Sequence, residues 1–199
     1  MTMEIKSDLN NDFLQVLNDW NFRRKFLEKR VVFFWGPVYD ETARELVNQL
    51  LYLEMLEPGK EIKMYINSPG GSVSAGLSIY DTIKSISSPV STICLGIAAS
   101  MGAVLLSAGE KGRRKIFPNA EVMIHQPSLG GPVTDQAANL YITAEHIKKT
   151  KERLTRILAE NTGQPYEKVL KDSDRDHWMD AQESLNYGIV DQIIDKIEF

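Results

Sequence analysis

Short apolar runs of strand length punctuate this chain, separated by longer stretches in which apolar residues recur every three or four positions. Val31 to Trp35, Ile62 to Ile66, Val90 to Leu95 and Val122 to His125 read as strands. From about Asp40 to Leu56, the residues Ala43, Leu46, Val47, Leu50 and Leu53 fall on one face of a helix. Further helices follow Ser72, cover Met101 to Ala108, and run from about Asp135 to Asn161, where Thr162-Gly163 ends the pattern. Strands alternating with helices predict an α/β layered fold. The long helix carries Leu140, Ile147, Leu154 and Leu158 on one stripe, with Lys148, Lys149, Lys151 and Glu152 elsewhere. Its length exceeds what a 199-residue globule needs.

The chemistry gathers around one serine. Gly96-Ile97-Ala98-Ala99-Ser100-Met101-Gly102-Ala103 sets Ser100 among residues too small to hide it, ahead of an apolar helical run. A serine hydroxyl attacks well only when a base takes its proton and a carboxylate fixes that base. His125, in Met123-Ile124-His125-Gln126-Pro127, and Asp176, the last residue of Asp174-Arg175-Asp176, supply those groups in the order Ser, His, Asp. That order, and Ala98 where a G-x-S-x-G elbow has glycine, speak against an α/β-hydrolase. With Ser100 at the first turn of its helix, the Met101 N–H is free to meet a developing oxyanion. Asn67-Ser68-Pro69-Gly70-Gly71-Ser72 offers a second donor, since paired glycines let backbone approach a ligand closely; an ordinary strand-to-helix turn with Ser72 as N-cap explains the same residues.

The runs INSPGGSV (66–73), ICLGIAASMGA (93–103), LLSAGEKGRRKIFPNAEVMIHQP (105–127), NTGQPYEKVLKDSDRDHWM (161–179) and AQESLNYGIVDQII (181–194) resemble, in order, the proteolytic subunit of the ATP-dependent Clp protease family. The resemblance implies a crotonase-like α/β fold of repeated strand-strand-helix turns with a protruding handle helix. It also implies stacked seven-membered rings, homomeric or mixed, enclosing a chamber in which unfolded polypeptides are cut to short peptides. It places the nucleophile on Ser100, the general base on His125, the orienting carboxylate on Asp176, and the oxyanion donors on the N–H groups of Gly71 and Met101. Gly130 and Gly131 fall where a substrate strand pairs, and Asp174 and Arg175 where one ring meets the other. The handle spans about 126–161 of a single 1–199 domain.

The chain departs from the family pattern at its start. The run that forms pore loops and part of the ATPase docking surface is missing. Residues 7–30 read instead as an amphipathic helix, with Ser7 as N-cap and Leu9, Phe13, Val16, Leu17, Trp20 and Leu27 on one face; residues 1–28 form a divergent N-terminal segment. In the handle loop, Pro132 has no N–H to offer a peptide. These departures keep open an alternative, a weakly active or structural ring subunit that stacks with another Clp protease subunit. A crotonase-type enzyme acting on acyl thioesters shares the fold but does not need the three residues.

Composition narrows the partners. With 43% hydrophobic residues over 199, a core forms without disulfide or metal. The net charge of −4, with basic residues spread out, predicts neither nucleic acid nor membrane as partner. No signal-like or membrane-length apolar stretch occurs, so a cytoplasmic location is expected. His125, His146 and His177 are too scattered for a metal site, His146 reads as a helix-surface residue, and His177, next to Asp176, is a weaker candidate base than the strand-embedded His125. Cys94 sits in a buried-strand pattern. No cofactor is expected. There is no phosphate-binding G-x-x-x-x-G-K-[ST] loop, so folded substrates require a separate AAA+ ATPase unfoldase of the Clp type.

Overall fold

The computed structural model describes residues 21–128, 131 and 134–197. Residues 21–28 are helical (α1), and Arg30 then turns the chain into the sheet with φ at 58°. Strands β1 (Val31–Trp35), β2 (Ile62–Ser68), β3 (Val90–Ala99), β4 (Arg114–Ile116) and β7 (Gln192–Ile193) lie side by side in that order, all parallel. Helices α2 (Asp40–Leu56) and α3 (Val73–Ser85) return the chain between the first three. The expected start and end of α2 match, and Ala43, Leu46, Leu50 and Leu53 are its buried face.

Strand β3 runs four residues beyond the apolar stretch read from sequence, through Gly96-Ile97-Ala98-Ala99. These small residues look unlike a strand, but the ladder continues past them. Gly96, at φ 79°, and a register shift between Ile66 and Ser68 absorb the irregularity. The extension divides the partners of β3: Thr92–Cys94 pair with β4, while Ile97–Ala99 pair with β5 (Glu121–Ile124). The sheet therefore branches where its longest strand ends. Strand β5 then pairs antiparallel with β6 (His177–Met179), which puts Ile124 opposite His177.

Helix α4 (Met101–Ser107) leaves the end of β3 directly into the core, and every one of its residues is buried. Burying Met101, Val104, Leu105 and Leu106 stabilises by about 1.5–3 kcal/mol per side chain. The junction is thus fixed by packing on its helical side. Long helix α5 (Ala137–Thr162) ends at Gly163, which takes the left-handed conformation at φ 75° as the sequence anticipates. Its apolar stripe is only half used. Leu154 and Leu158 are buried where α5 packs against α4 and α6 (Tyr166–Asp172), whereas Leu140, Tyr141 and Ile142 in its first turns are exposed. Helix α7 (Ala181–Tyr187) closes against β5, β6 and β7 with an Asp180–Glu183 capping box.

Two buried arginines tie these layers. Arg114 sets a two-pronged pair on Asp191 (Nε to Oδ2 2.9 Å, Nη2 to Oδ1 2.6 Å) and donates to the Asn161 carbonyl at the end of α5. Burial opposes the Asp191 charge, but the Arg114 guanidinium and the Arg114 and Gly112 N–H groups outweigh it and hold the carboxyl below its ordinary range. Arg30 donates to the carbonyls of Leu53, Lys60 and Glu61 and to Ser88, closing the end of α2 over the start of β2.

Candidate active site

Ser100 occupies the corner between β3 and α4 with φ 55° and ψ −120°. Among the described residues only Arg30 shares a positive φ without being glycine. Holding a side chain in such a region costs about 1–3 kcal/mol, and it persists only where the surroundings over-determine it. Here the Ser100 N–H donates to the Met123 carbonyl at 2.8 Å, its own carbonyl accepts from Ala103 and Val104, and the packing of α4 anchors the chain on the far side of the corner. The corner turns the hydroxyl out of the sheet toward β5.

Gly70 explains why the preceding loop needs glycine. A methyl group there would lie 2.6 Å from the Ser100 Cβ and 2.7 Å from the Ala99 carbonyl oxygen, at a φ of +88°. The loop therefore lies directly on the Ser100 backbone. Gly71, at φ +148°, is flanked by two bonds to Val38: Val38 N–H to the Gly70 carbonyl and Ser72 N–H to the Val38 carbonyl, both 2.8 Å. This parallel bridge uses the neighbours of Gly71 and turns the Gly71 N–H to the other side. Neither that N–H nor the Met101 N–H has an acceptor among the described residues, which leaves both to a ligand.

His125 follows the last residue of β5 and stands beside the corner. Its Nε2 is 2.8 Å from the Ser100 Oγ, and its Nδ1 is 3.1 Å from the Asp176 Oδ1. An ionised carboxylate only accepts, so Nδ1 carries the hydrogen and Nε2 is left to accept the serine hydroxyl. Asp176 comes from the connection between α6 and β6 and is 62% exposed, against 27% for the histidine side chain. The antiparallel pairing of β5 with β6 brings together residues 51 positions apart. His177 does not compete: its ring packs against Tyr187 at 5.9 Å, while Ser100 meets His125.

Beside the serine and histidine lies an apolar recess lined by Val73, Met101, Val104, Ile124, Pro127, Leu154 and Leu158. A larger cleft of about 480 Å³, between α1, β1 and α2, has no serine, cysteine or histidine among its described lining residues. Burial pushes the Cys94 thiol up to about 12, which fits a core residue and not a nucleophile. Among the described residues no group of acidic, histidine and cysteine side chains is arranged to hold a metal. No described helix is long and apolar enough to cross a membrane.

The remaining sequence candidates fall unevenly. Gly131 is an exposed bend, and Gly130, Pro132 and the proposed helix face from Leu9 to Trp20 lie outside the described residues. Arg175 is exposed and makes no ion pair among the described residues, whereas Asp174 is engaged inside the protomer. Gln126 Nε2 donates to the Asp174 carbonyl at 2.7 Å, and Lys151 Nζ reaches both the Gln126 Oε1 at 2.8 Å and the Asp174 Oδ1 at 3.3 Å. The sequence pattern puts Lys151 among helix charges away from the apolar stripe and gives Gln126 no role. Only the adjacency of Gln126 to His125 hints otherwise. The glycine-backed serine corner, the histidine at its hydroxyl and the branched parallel sheet agree with the match of residues 18–197 to Clp protease, and the chain belongs to that family.

Proposed function

We propose that the protein is a serine endopeptidase in which Ser100 attacks a peptide carbonyl, His125 takes the hydroxyl proton and returns it to the leaving amine, and Asp176 orients His125. The observation that carries this reading is the relay of 2.8 and 3.1 Å linking a conformationally strained serine to a histidine and a carboxylate. As the carbonyl carbon becomes tetrahedral, its oxygen acquires charge within reach of the Gly71 and Met101 N–H groups. Such donors are already oriented and need no reorganisation at the moment of reaction. A crotonase-type thioester chemistry would share those donors but has no use for the serine-histidine-aspartate relay.

Beside the scissile bond the bound peptide meets an apolar surface of Val73, Met101, Val104, Ile124 and Pro127, which favours an apolar neighbouring side chain over a carboxylate. Substrates are unfolded polypeptides, held by main-chain pairing along the segment that includes Gly130 and Gly131, which is blind to side-chain identity. The exposed Leu140, Tyr141 and Ile142 of α5, with Arg175, serve contacts between stacked heptameric rings in the cytoplasm, homomeric or mixed. A separate Clp-type ATPase unfolds and delivers substrate. Hydrolysis of a short fluorogenic peptide by the purified protein, with Ser100→Ala beside it, tests the catalytic core without any partner. The expected result is turnover that falls on the order of 10⁴-fold or more in the variant. Equal hydrolysis by both proteins would contradict it.

A further inference from the structure

Asp176 holds its place with little help of its own. Its side chain is 62% exposed, and His125 is its one hydrogen-bond partner among the described residues. The aspartate is therefore aimed by the backbone of residues 173–176. One end of that connection is buried, where the Ser173 hydroxyl and N–H both donate to the Val169 carbonyl at 2.7 and 2.9 Å. The other end enters β6, where His177 pairs with Ile124. Between them, the cross-link to the segment that carries His125 out of β5 is the Gln126 amide, which donates to the Asp174 carbonyl.

That amide is oriented by Lys151. Its oxygen accepts from Lys151 Nζ at 2.8 Å, which forces its NH₂ toward Asp174, and the same ammonium reaches the Asp174 carboxylate at 3.3 Å. The triangle joins three elements: the end of β5, the α6–β6 connection and the middle of α5. Lys151 is one-quarter exposed and lies one turn before the buried Leu154, in the half of α5 that is packed on the core.

We propose that Lys151 is a positioning residue for Asp176, acting through Gln126 and Asp174. The proposal rests on the reading of Ser100, His125 and Asp176 as the catalytic relay. Asp174 then serves its own active site, and α5 is coupled to the alignment of the catalytic carboxylate through one ammonium group. Without that group, the Gln126 oxygen and the Asp174 carboxylate lose a shared donor, the amide is free to turn, and the connection carrying Asp176 loses its clamp. Lys151 lines neither the serine corner nor the apolar recess, so its loss acts on turnover and not on substrate binding.

The test is steady-state hydrolysis of a short fluorogenic peptide by the full-length assembled protein and by Lys151→Met, Lys151→Arg, Asp174→Asn and Lys151→Met/Asp174→Asn. Sedimentation and circular dichroism are recorded for each. Lys151→Met is expected to lower kcat roughly 10- to 100-fold, the loss that misplacement of a catalytic group produces, with KM nearly unchanged. Lys151→Arg is expected to recover most of the loss, since a guanidinium can donate to both oxygens. The double variant is expected to be no worse than the weaker single one, as for residues acting through one network. Parent-like kcat in Lys151→Met, a fall that Lys151→Arg shares in full, or a fall that tracks lost assembly would each overturn the proposal while leaving the relay standing. A parent protein that is inactive and whose Ser100 resists a phosphonate would instead remove the relay, and this inference with it.

Discussion

The two ends of the relay live in opposite surroundings. Ser100 is fixed by packing: Gly70 lies against its backbone, the fully buried α4 comes directly after it, and its N–H is tied to β5. Asp176 is fixed at the surface, by one bond to His125 and by a connection clamped through Gln126 and Lys151. Interiors are close-packed and yield little, whereas partly exposed polar contacts compete with water. The nucleophile end is thus as rigid as the fold itself, and the carboxylate end is where alignment can be changed without unfolding anything. The half of α5 that reaches the carboxylate end continues into turns whose Leu140, Tyr141 and Ile142 are exposed.

Breaking the packed end is expected to have the largest effect. Gly70→Ala drives a methyl into the Ser100 Cβ and the Ala99 carbonyl at a φ that alanine rarely adopts. Peptide hydrolysis is expected to fall at least roughly 10²-fold, and urea unfolding to show a loss of about 1–3 kcal/mol. Breaking the surface end is expected to separate activity from stability. Asp176→Asn should reduce kcat by one to two powers of ten less than Ser100→Ala, by analogy with the graded losses of such relays. Its urea midpoint is expected to stay close to that of the parent, because the carboxylate is mostly exposed and makes one hydrogen bond among the described residues. Equal destabilisation by Gly70→Ala and Asp176→Asn would erase the contrast.

A smaller effect is expected from a surface clamp remote from the site. Hydrogen bonds from the Ser87 hydroxyl, and then from Ser88, hold the Glu54 carboxyl at about 2, below its ordinary 4.5, and tie α2 to the turn before β3. A folded pKa below the unfolded one contributes stability above the unfolded value and loses it as pH falls. The parent should therefore lose stability as pH drops from about 4.5 toward 2, and Glu54→Gln should lose less over the same window. Urea midpoints measured across that range check the sign. Identical pH slopes for the two proteins would show that this clamp contributes nothing.

What could be read in the sequence was local. Ser100 among small residues, the paired Gly70 and Gly71, Ser72 as N-cap, and Gly163 as a helix stop all announce themselves within a few positions, and the structure places each accordingly. What could not be read was long-range or polar. Lys151 looks like any helix-surface lysine until folding brings it to Gln126, 25 positions away. Arg30 closes the end of α2 through carbonyl groups 23 to 31 positions on, and no side-chain pattern marks such acceptors. The stripe from Leu140 to Leu158 was legible as a stripe on a helix too long for the globule, but its division between covered and exposed turns was not. Periodicity reports that a face is apolar and not what covers it, and only the second half of this one meets the core of its own protomer.

Activation of Ser100 by His125 can be read out by incubating the protein with a fluorophosphonate and mapping the adduct by mass spectrometry. A single adduct on the Ser100 peptide, absent from Ser100→Ala and strongly slowed in His125→Ala, is the result expected from a histidine nitrogen 2.8 Å from the serine hydroxyl. An unlabelled Ser100, or an adduct that forms equally fast without His125, would contradict it.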